Sequence, residues 1–257
     1  MNEILKHIES WFDEYTSSFS SPDVSTEGAL RLKEEHCRRV MNEIRSIGRS
    51  VHLDDTRMEM ASIAGLLHDI GRFEQFMKYR TFLDRKSINH AALSASIVQR
   101  EQILSSMDES SKNGILNAID LHNKALVPED KDDSLWLARM LRDADKLDIW
   151  NVVSIHFQNP LQSTKKAVEL DLPDSDSYSP QIIDSILCGN PWQIKNLCCV
   201  NDFKLILMGW IFDINFPHTF REIKERRILE NLKELLPNHK DIERVFERCF
   251  SHLEANV

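Results

Sequence analysis

Glycine and proline are scarce in this chain, with 7 Gly and 8 Pro among 257 residues. Both residues interrupt regular elements, so their scarcity, together with apolar residues at helical spacing, predicts a mainly helical protein. No segment alternates between apolar and polar residues for long enough to predict a strand, and no internal repeat is present. The expected fold class is therefore all-α.

Long apolar runs are also missing. The longest one, residues 205–212, is far shorter than the roughly 20 residues that a membrane-spanning helix needs. The first residues show neither the basic region nor the apolar core of a signal peptide. We therefore expect a protein that does not bind or cross a membrane.

Paired cysteines and extended basic segments are absent as well. The 5 cysteines show no CxxC spacing and no disulfide framework, which fits reduced thiols and predicts a cytoplasmic location. The formal net charge of -9 argues against a general DNA-binding or RNA-binding protein, because such proteins must neutralise phosphates. A metal site could still attract a phosphate group locally.

The chain does contain amphipathic segments that are separated by polar loops. Ser87 is predicted to cap the helix that follows it, and residues 158–179 are expected to form a long loop or lid. The predicted helices cover residues 2–15, 27–49, 57–69, 88–103, 112–123, 134–153, 180–187, 191–199, 202–214, 219–235 and 240–253.

An apolar helix ends on a His-Asp pair in residues 61–73. His68 and Asp69 point about 100° apart on a helix, yet both can reach one metal ion near the helix end, which Gly71 is expected to terminate. Taken alone, the pair is better explained as a helix end with a solvated Asp69 and a hydrogen-bonded core histidine. An ionised carboxylate next to an apolar run nevertheless calls for a partner.

Other polar residues fall on apolar faces or at helix ends. His36 shares a face with Val40 and Ile44, and Asp145 lies four residues after Leu141 on a face where an acidic residue needs neutralisation. Each histidine has the alternative of a hydrogen bond in the core. The whole set has the residue types that bind first-row divalent metals and comprises His36, His68, Asp69, His90, His122 and Asp145.

The order of these residues resembles the HD-domain superfamily of metal-dependent phosphohydrolases. That all-helical family has a first His, then a His-Asp pair, then a distant Asp, which match His36, His68-Asp69 and Asp145 over about residues 30–153. The resemblance implies an all-α, HD-domain-like helical bundle with additional C-terminal helices. We expect one domain over residues 1–257, with the core at about 27–153 and a C-terminal extension at about 180–257.

The resemblance also implies the ligands of a metal site. His36, His68, Asp69 and Asp145 would hold one ion, while His90 and His122 would either hold a second or orient the ligands. Asp69 would bridge two ions; Asp143 is the alternative to Asp145, which helix phase and the family pattern favour. The expected cofactor is one or two divalent ions among Mn, Fe, Mg, Co, Ni and Zn, and no organic cofactor is predicted.

The implied activity is hydrolysis of a phosphate ester or anhydride of a small metabolite or nucleotide by metal-activated water. The enzyme would be a phosphomonoesterase, a phosphodiesterase or a nucleotide hydrolase. Beside Asp69, we expect Arg72 and Lys146, with Arg39 behind them, to neutralise phosphoryl charge, although surface salt bridges explain any one of them equally well. The alternatives are a non-catalytic sensor or partner-binding module and, less favoured, a di-iron oxygenase.

Overall fold

Helices make up all the regular structure in the part of the chain that the computed structural model describes, residues 3–125, 127, 134–159, 164–189 and 197–257. The expected all-α class is therefore confirmed. The chain divides into two compact units, Met1–Asp148 and Ile149–Val257. The boundary falls inside a helix, and the single-domain organisation stays a prediction.

The helices have the following bounds. Those of the first unit are α1 Glu3–Ser17, α2 Val24–Ser50, α3 Asp55–Leu67, α4 Gly71–Tyr79, α5 His90–Arg100 and α6 Glu109–Leu121, with a 3-10 turn at Asp84–Lys86. Helix α7, Trp136–Gln158, contains the boundary between the units. The second unit continues with α8 Lys165–Val168, α9 Pro180–Leu187, α10 Val200–Gly209, a 3-10 turn at Trp210–Asp213, α11 Pro217–Glu225, α12 Ile228–Glu234 and α13 Lys240–Glu254.

Helix α3 is the buried centre of the first unit. It begins at an N-cap, where the Asp54 carboxylate accepts a hydrogen bond from the Arg57 backbone N–H at 2.8 Å. Its last seven residues, from Ala61 to Leu67, are all buried, and the helix packs against α1, α2 and α6. A helical segment that is buried on every face must be enclosed by its neighbours, so the second half of α3 leads the residues that follow it into the interior.

Gly71 begins a helix instead of ending one, so that prediction is wrong. Helix α3 stops at Leu67, a turn carries the next three residues, and α4 starts at Gly71. A Cβ atom on Gly71 would lie 2.8 Å from the His90 carbonyl oxygen and 2.8 Å from the Ser94 nitrogen. Glycine therefore permits the close approach of α4 to α5, which places His90 beside Asp69.

The cap of α5 also differs from the expectation. Asn89, not Ser87, is the N-cap, and its side-chain oxygen accepts a hydrogen bond from the Ala92 backbone N–H at 3.0 Å. The Ser87 hydroxyl is used elsewhere, because it donates to the Leu83 carbonyl and accepts from the Gln75 amide. As a result, His90 is the first residue of α5.

The second unit is organised around α10, in which every residue is buried. This helix packs against α9, α12 and α13. The single helix predicted over residues 219–235 is wrong: Arg227 has φ 53, a left-handed conformation that interrupts the helix between α11 and α12.

Two other predictions concern segments that are described only in part. The helix predicted at residues 191–199 lies mostly outside the described residues. Within the predicted loop at 158–179, the described residues contain the short helix α8.

None of the described helices combines the length and the apolar character required to cross a membrane. The cysteines are free thiols.

Two glycines inside helices should respond oppositely to alanine. A Cβ on Gly65 would meet the Met41 backbone Cα at 2.9 Å, whereas a Cβ on Gly114 would meet only the flexible Met60 Cε at 2.9 Å. We expect G65A to destabilise the protein by about 1–3 kcal/mol. We expect G114A to be neutral or to stabilise it by up to about 1 kcal/mol, because alanine favours a helix. Urea unfolding midpoints test both, and equal effects of the two substitutions would contradict the close packing of α3 on α2.

Candidate metal centre

The predicted site residues come from separate elements of the first unit and meet in its interior. His36 lies on α2, His68 and Asp69 occupy the turn after α3, and His90 starts α5. The two others are His122, directly after α6, and Asp145 on α7. Their ligand atoms form overlapping groups able to hold a metal ion: His36, His68 and Asp69; His68, His122 and Asp145; and Asp69, His90 and His122.

One side of the centre combines two imidazoles and two carboxylates. The Nε2 atoms of His36 and His68 lie 3.2 Å apart. Asp145 Oδ1 is 3.1 Å from the Nε2 atom of His36 and 3.6 Å from that of His68. Asp69 Oδ2 lies 3.6 Å and 3.9 Å from the same two nitrogens. Each carboxylate thus has an oxygen within 4 Å of both imidazole nitrogens.

The other side uses the second oxygen of Asp69. Its Oδ1 atom lies 3.3 Å from the Nε2 atom of His90 and 3.8 Å from that of His122. These two nitrogens are 3.1 Å apart. The two oxygens of one carboxylate therefore face two different pairs of histidines, as they would in a bridge between two ions.

Each imidazole is held through its Nδ1 atom. That atom of His36 lies 2.7 Å from Asp148 Oδ2, and that of His90 lies 2.7 Å from Asp84 Oδ2. The two remaining partners are backbone carbonyl oxygens of the preceding helical turn, Gly65 for His68 at 2.8 Å and Ile119 for His122 at 2.7 Å. Partners that accept the Nδ1 proton leave Nε2 as the ligand atom and fix the orientation of the ring.

These distances fit divalent metal binding. Two nitrogens each about 2.1 Å from one ion, at angles between 90° and 110°, are about 3.0–3.4 Å apart. The His36–His68 and His90–His122 separations, 3.2 Å and 3.1 Å, lie in that range. A mixture of imidazole and carboxylate suits Mn, Fe, Co, Ni and Zn.

The pKa values of three of the buried histidines shift in different directions. Burial, reinforced by the neighbouring His90 and His68, lowers the pKa of His122 to about 3. Burial and the Arg72 charge also lower the pKa of His90. For His36, burial and Lys33 are outweighed by the carboxylates of Asp145 and Asp148, which raise its pKa. His90 and His122 thus provide the neutral imidazoles that a metal requires.

The carboxylates stay ionised despite burial. Burial alone would raise the pKa of Asp69, but the positive charges of Lys33 and Arg72 outweigh it and hold the pKa well below its usual value. Burial is likewise outweighed at Asp145, where hydrogen bonds with His36 and His68 lower the pKa strongly. Both residues therefore present charged oxygens as ligands.

The predicted cations take different positions. Arg72 Nε lies 3.3 Å from Asp69 Oδ1, and its Nη2 lies 3.2 Å from His90 Nε2. Arg39 donates from Nε to Asp148 Oδ1 at 2.6 Å, so it supports the carboxylate behind His36. Lys146 is buried on α7, and its role beside a phosphate stays a prediction. Asp143 is buried as well but belongs to none of the ligand groups found among the described residues.

Three contributing residues are missing from the sequence prediction. Lys33 donates from Nζ to Asp69 Oδ2 at 2.8 Å, and its position three residues before His36 was a usable signal. Asp148 lies on the acidic face that contains Asp145, again three residues away. Asp84 sits in a 3-10 turn, where no helical period marks it.

The fold and the site together thus define an all-helical class of protein with a cluster of histidines and carboxylates able to hold a metal ion. The family model of the HD domain matches residues 34–150, a little under half of the chain and the part that contains all six ligand candidates. This part of the chain is therefore an HD domain, the domain of a superfamily to which metal-dependent phosphohydrolases belong. No curated protein and no solved structure matched the chain.

Removing the partner of His36 should weaken metal binding. We expect D148N to lower the affinity for Mn²⁺ by roughly 10- to 100-fold, because a neutral amide replaces the carboxylate that orients the ring and increases its basicity. The control D120N has the same change of charge on the exposed surface of α6, where Asp120 pairs with Lys124 at 3.6 Å, and should bind like wild type. Titration calorimetry measures both. Wild-type affinity in D148N would mean that Asp148 does not support the site.

Proposed function

We propose that the protein is a metal-dependent phosphohydrolase that holds two divalent ions and cleaves a phosphate ester or anhydride of a small metabolite or nucleotide. Membership of the HD-domain superfamily supports hydrolysis as the reaction class. A chain with a net charge of -9 supports a small substrate over a nucleic acid.

The observation that carries the proposal is the position of the Asp69 carboxylate. Its Oδ2 atom faces His36 and His68, while its Oδ1 atom faces His90 and His122. A carboxylate buried to 3% exposure in this arrangement suits the shared ligand of two ions. We assign His36, His68 and Asp145 to one ion and the other two histidines to the second.

The bound ions and Arg72 would have different roles in the reaction. Bound divalent ions lower the pKa of water and withdraw charge from phosphoryl oxygens. Arg72 is held in place by the Phe82 carbonyl at 2.6 Å and by Asp84 at 3.2 Å, so its guanidinium is preorganised beside Asp69. A fixed cation of this kind stabilises the charge that develops on the transferred group, since it needs no reorganisation during the reaction.

The number of ions can be counted directly. We expect wild-type protein to bind about two equivalents of Mn²⁺ and H122A to bind about one, because our assignment gives His122 to the second ion only. H239A removes an exposed histidine and should keep both ions. Elemental analysis after gel filtration gives the stoichiometry. One equivalent in wild type and in H122A alike would make His90 and His122 groups that orient the ligands of a single ion.

The activity is tested with a panel of phosphomonoesters, phosphodiesters and nucleotides in the presence of Mn²⁺. We expect D69A to reduce kcat/KM at least about 100-fold, the scale of losing one electrostatic group that stabilises the transition state. D120N serves as the control with the same loss of charge. Bound metal without turnover of any substrate would favour a sensor or partner-binding module, and iron with oxygen consumption would favour an oxygenase.

A further inference from the structure

Lys33 contacts the centre, but the proposed mechanism gives this residue no role. Its Nζ atom donates to Asp69 Oδ2 at 2.8 Å, and it lies 5.5 Å from the centre of the Phe82 ring. Among the described residues, Asp69 is its only hydrogen-bond partner. An ammonium group has three N–H donors, so two of them have no partner in this part of the chain.

The two oxygens of Asp69 each have one cation. Lys33 lies on the Oδ2 side and Arg72 on the Oδ1 side, at 2.8 Å and 3.3 Å. Both side chains keep some exposure, 15% and 13%, whereas that of Asp69 is 3% exposed. The two partly exposed cations therefore contact different oxygens of the same buried carboxylate.

This arrangement carries more positive charge than a pure metal site needs. Once two divalent ions are bound, the carboxylates of Asp69, Asp84 and Asp145 cannot balance the ions together with Lys33 and Arg72. Lys33 and Arg72 compensate the charge of Asp69 in the metal-free protein, but once the ions are bound, a second cation beside this metal ligand repels the metal. The excess charge favours a ligand with more than one negative charge.

We propose that Lys33 is a phosphate-binding residue that selects a doubly charged terminal phosphoryl group over the singly charged phosphate of a diester. The substrate class would then be a phosphomonoester or the terminal phosphate of an anhydride. This inference rests on the proposed function, because it requires the metal-loaded site. Lys33 and Arg72 would each donate to a separate oxygen of the phosphoryl group.

Binding of two anions to Mn²⁺-loaded protein tests the inference without turnover. Inorganic phosphate at pH 8 supplies a dianion, and dimethyl phosphate supplies a monoanion of similar shape. We expect wild type to bind phosphate more tightly than dimethyl phosphate, and K33Q to bind phosphate at least about tenfold more weakly, the worth of a charged hydrogen bond. The K33Q substitution should weaken the binding of dimethyl phosphate less than that of inorganic phosphate. Mn²⁺ should bind K33Q at least as tightly as wild type.

Two variants serve as controls. R31Q removes the same charge from the same helix, where Arg31 is 75% exposed and pairs with Glu35, and should bind like wild type. K33R keeps the charge and should keep most of the phosphate affinity.

Each contrary result has a distinct meaning. Unchanged phosphate binding in K33Q, or equal binding of the two anions by wild type, overturns the role of Lys33 and leaves the hydrolase proposal intact. Weaker Mn²⁺ binding by K33Q also overturns it, because Lys33 would then act by positioning Asp69. Wild type that binds Mn²⁺ and neither anion overturns both proposals.

Discussion

The buried negative charge of Asp69 is the constraint on which the first unit depends. An ionised carboxylate removed from water is costly unless cations, hydrogen bonds or metal ions compensate it. Here its side chain is 3% exposed, and the compensating cations come from two different helices, Lys33 from α2 and Arg72 from α4. The apolar helix α3 provides no compensation of its own. Helix α3 places the carboxylate in the interior, where side chains from other helices contact it.

Rigidity around that charge comes from the atoms behind the histidines. Two of the rings are anchored to carbonyls of their own preceding helical turns, and two are anchored to carboxylates on other elements. Arg39 in turn fixes Asp148 through two nitrogens. Such outer contacts hold the ligand nitrogens in position before any ion arrives, so less order has to be created on binding. The Arg142 guanidinium joins the elements further, because it donates to the carbonyls of His122 and Lys124 at the end of α6.

The sequence alone predicts this centre unevenly, and the reasons are physical. Apolar periodicity places His36 on the inner face of α2, because burial and helix phase are both written in the spacing. Periodicity says nothing about Asp84, whose contact with His90 depends on how a 3-10 turn folds back. It also does not choose between Ser87 and Asn89 as the cap of α5, since both side chains can accept the bond; the contacts of Ser87 with Gln75 and Leu83 decide that. The break at Arg227 has no proline or glycine to mark it.

The side chains of the centre differ in their exposure to solvent, and this exposure decides which groups each of them can contact. The side chains of His68 and Asp69 are 0% and 3% exposed, so they can contact only an ion or a ligand that has entered the centre. Asp145, at 16%, has the exposure of the two cations that flank Asp69. Surface ion pairs such as Arg31 with Glu35, at 75% and 48%, are screened by water and contribute little. Charges as sheltered as Lys33 and Arg72 are screened far less, so their attraction for an entering anion acts at nearly full strength beside the ligands. The same low exposure that makes the Asp69 charge costly to bury would therefore strengthen the attraction of these cations for the anionic substrate that we propose.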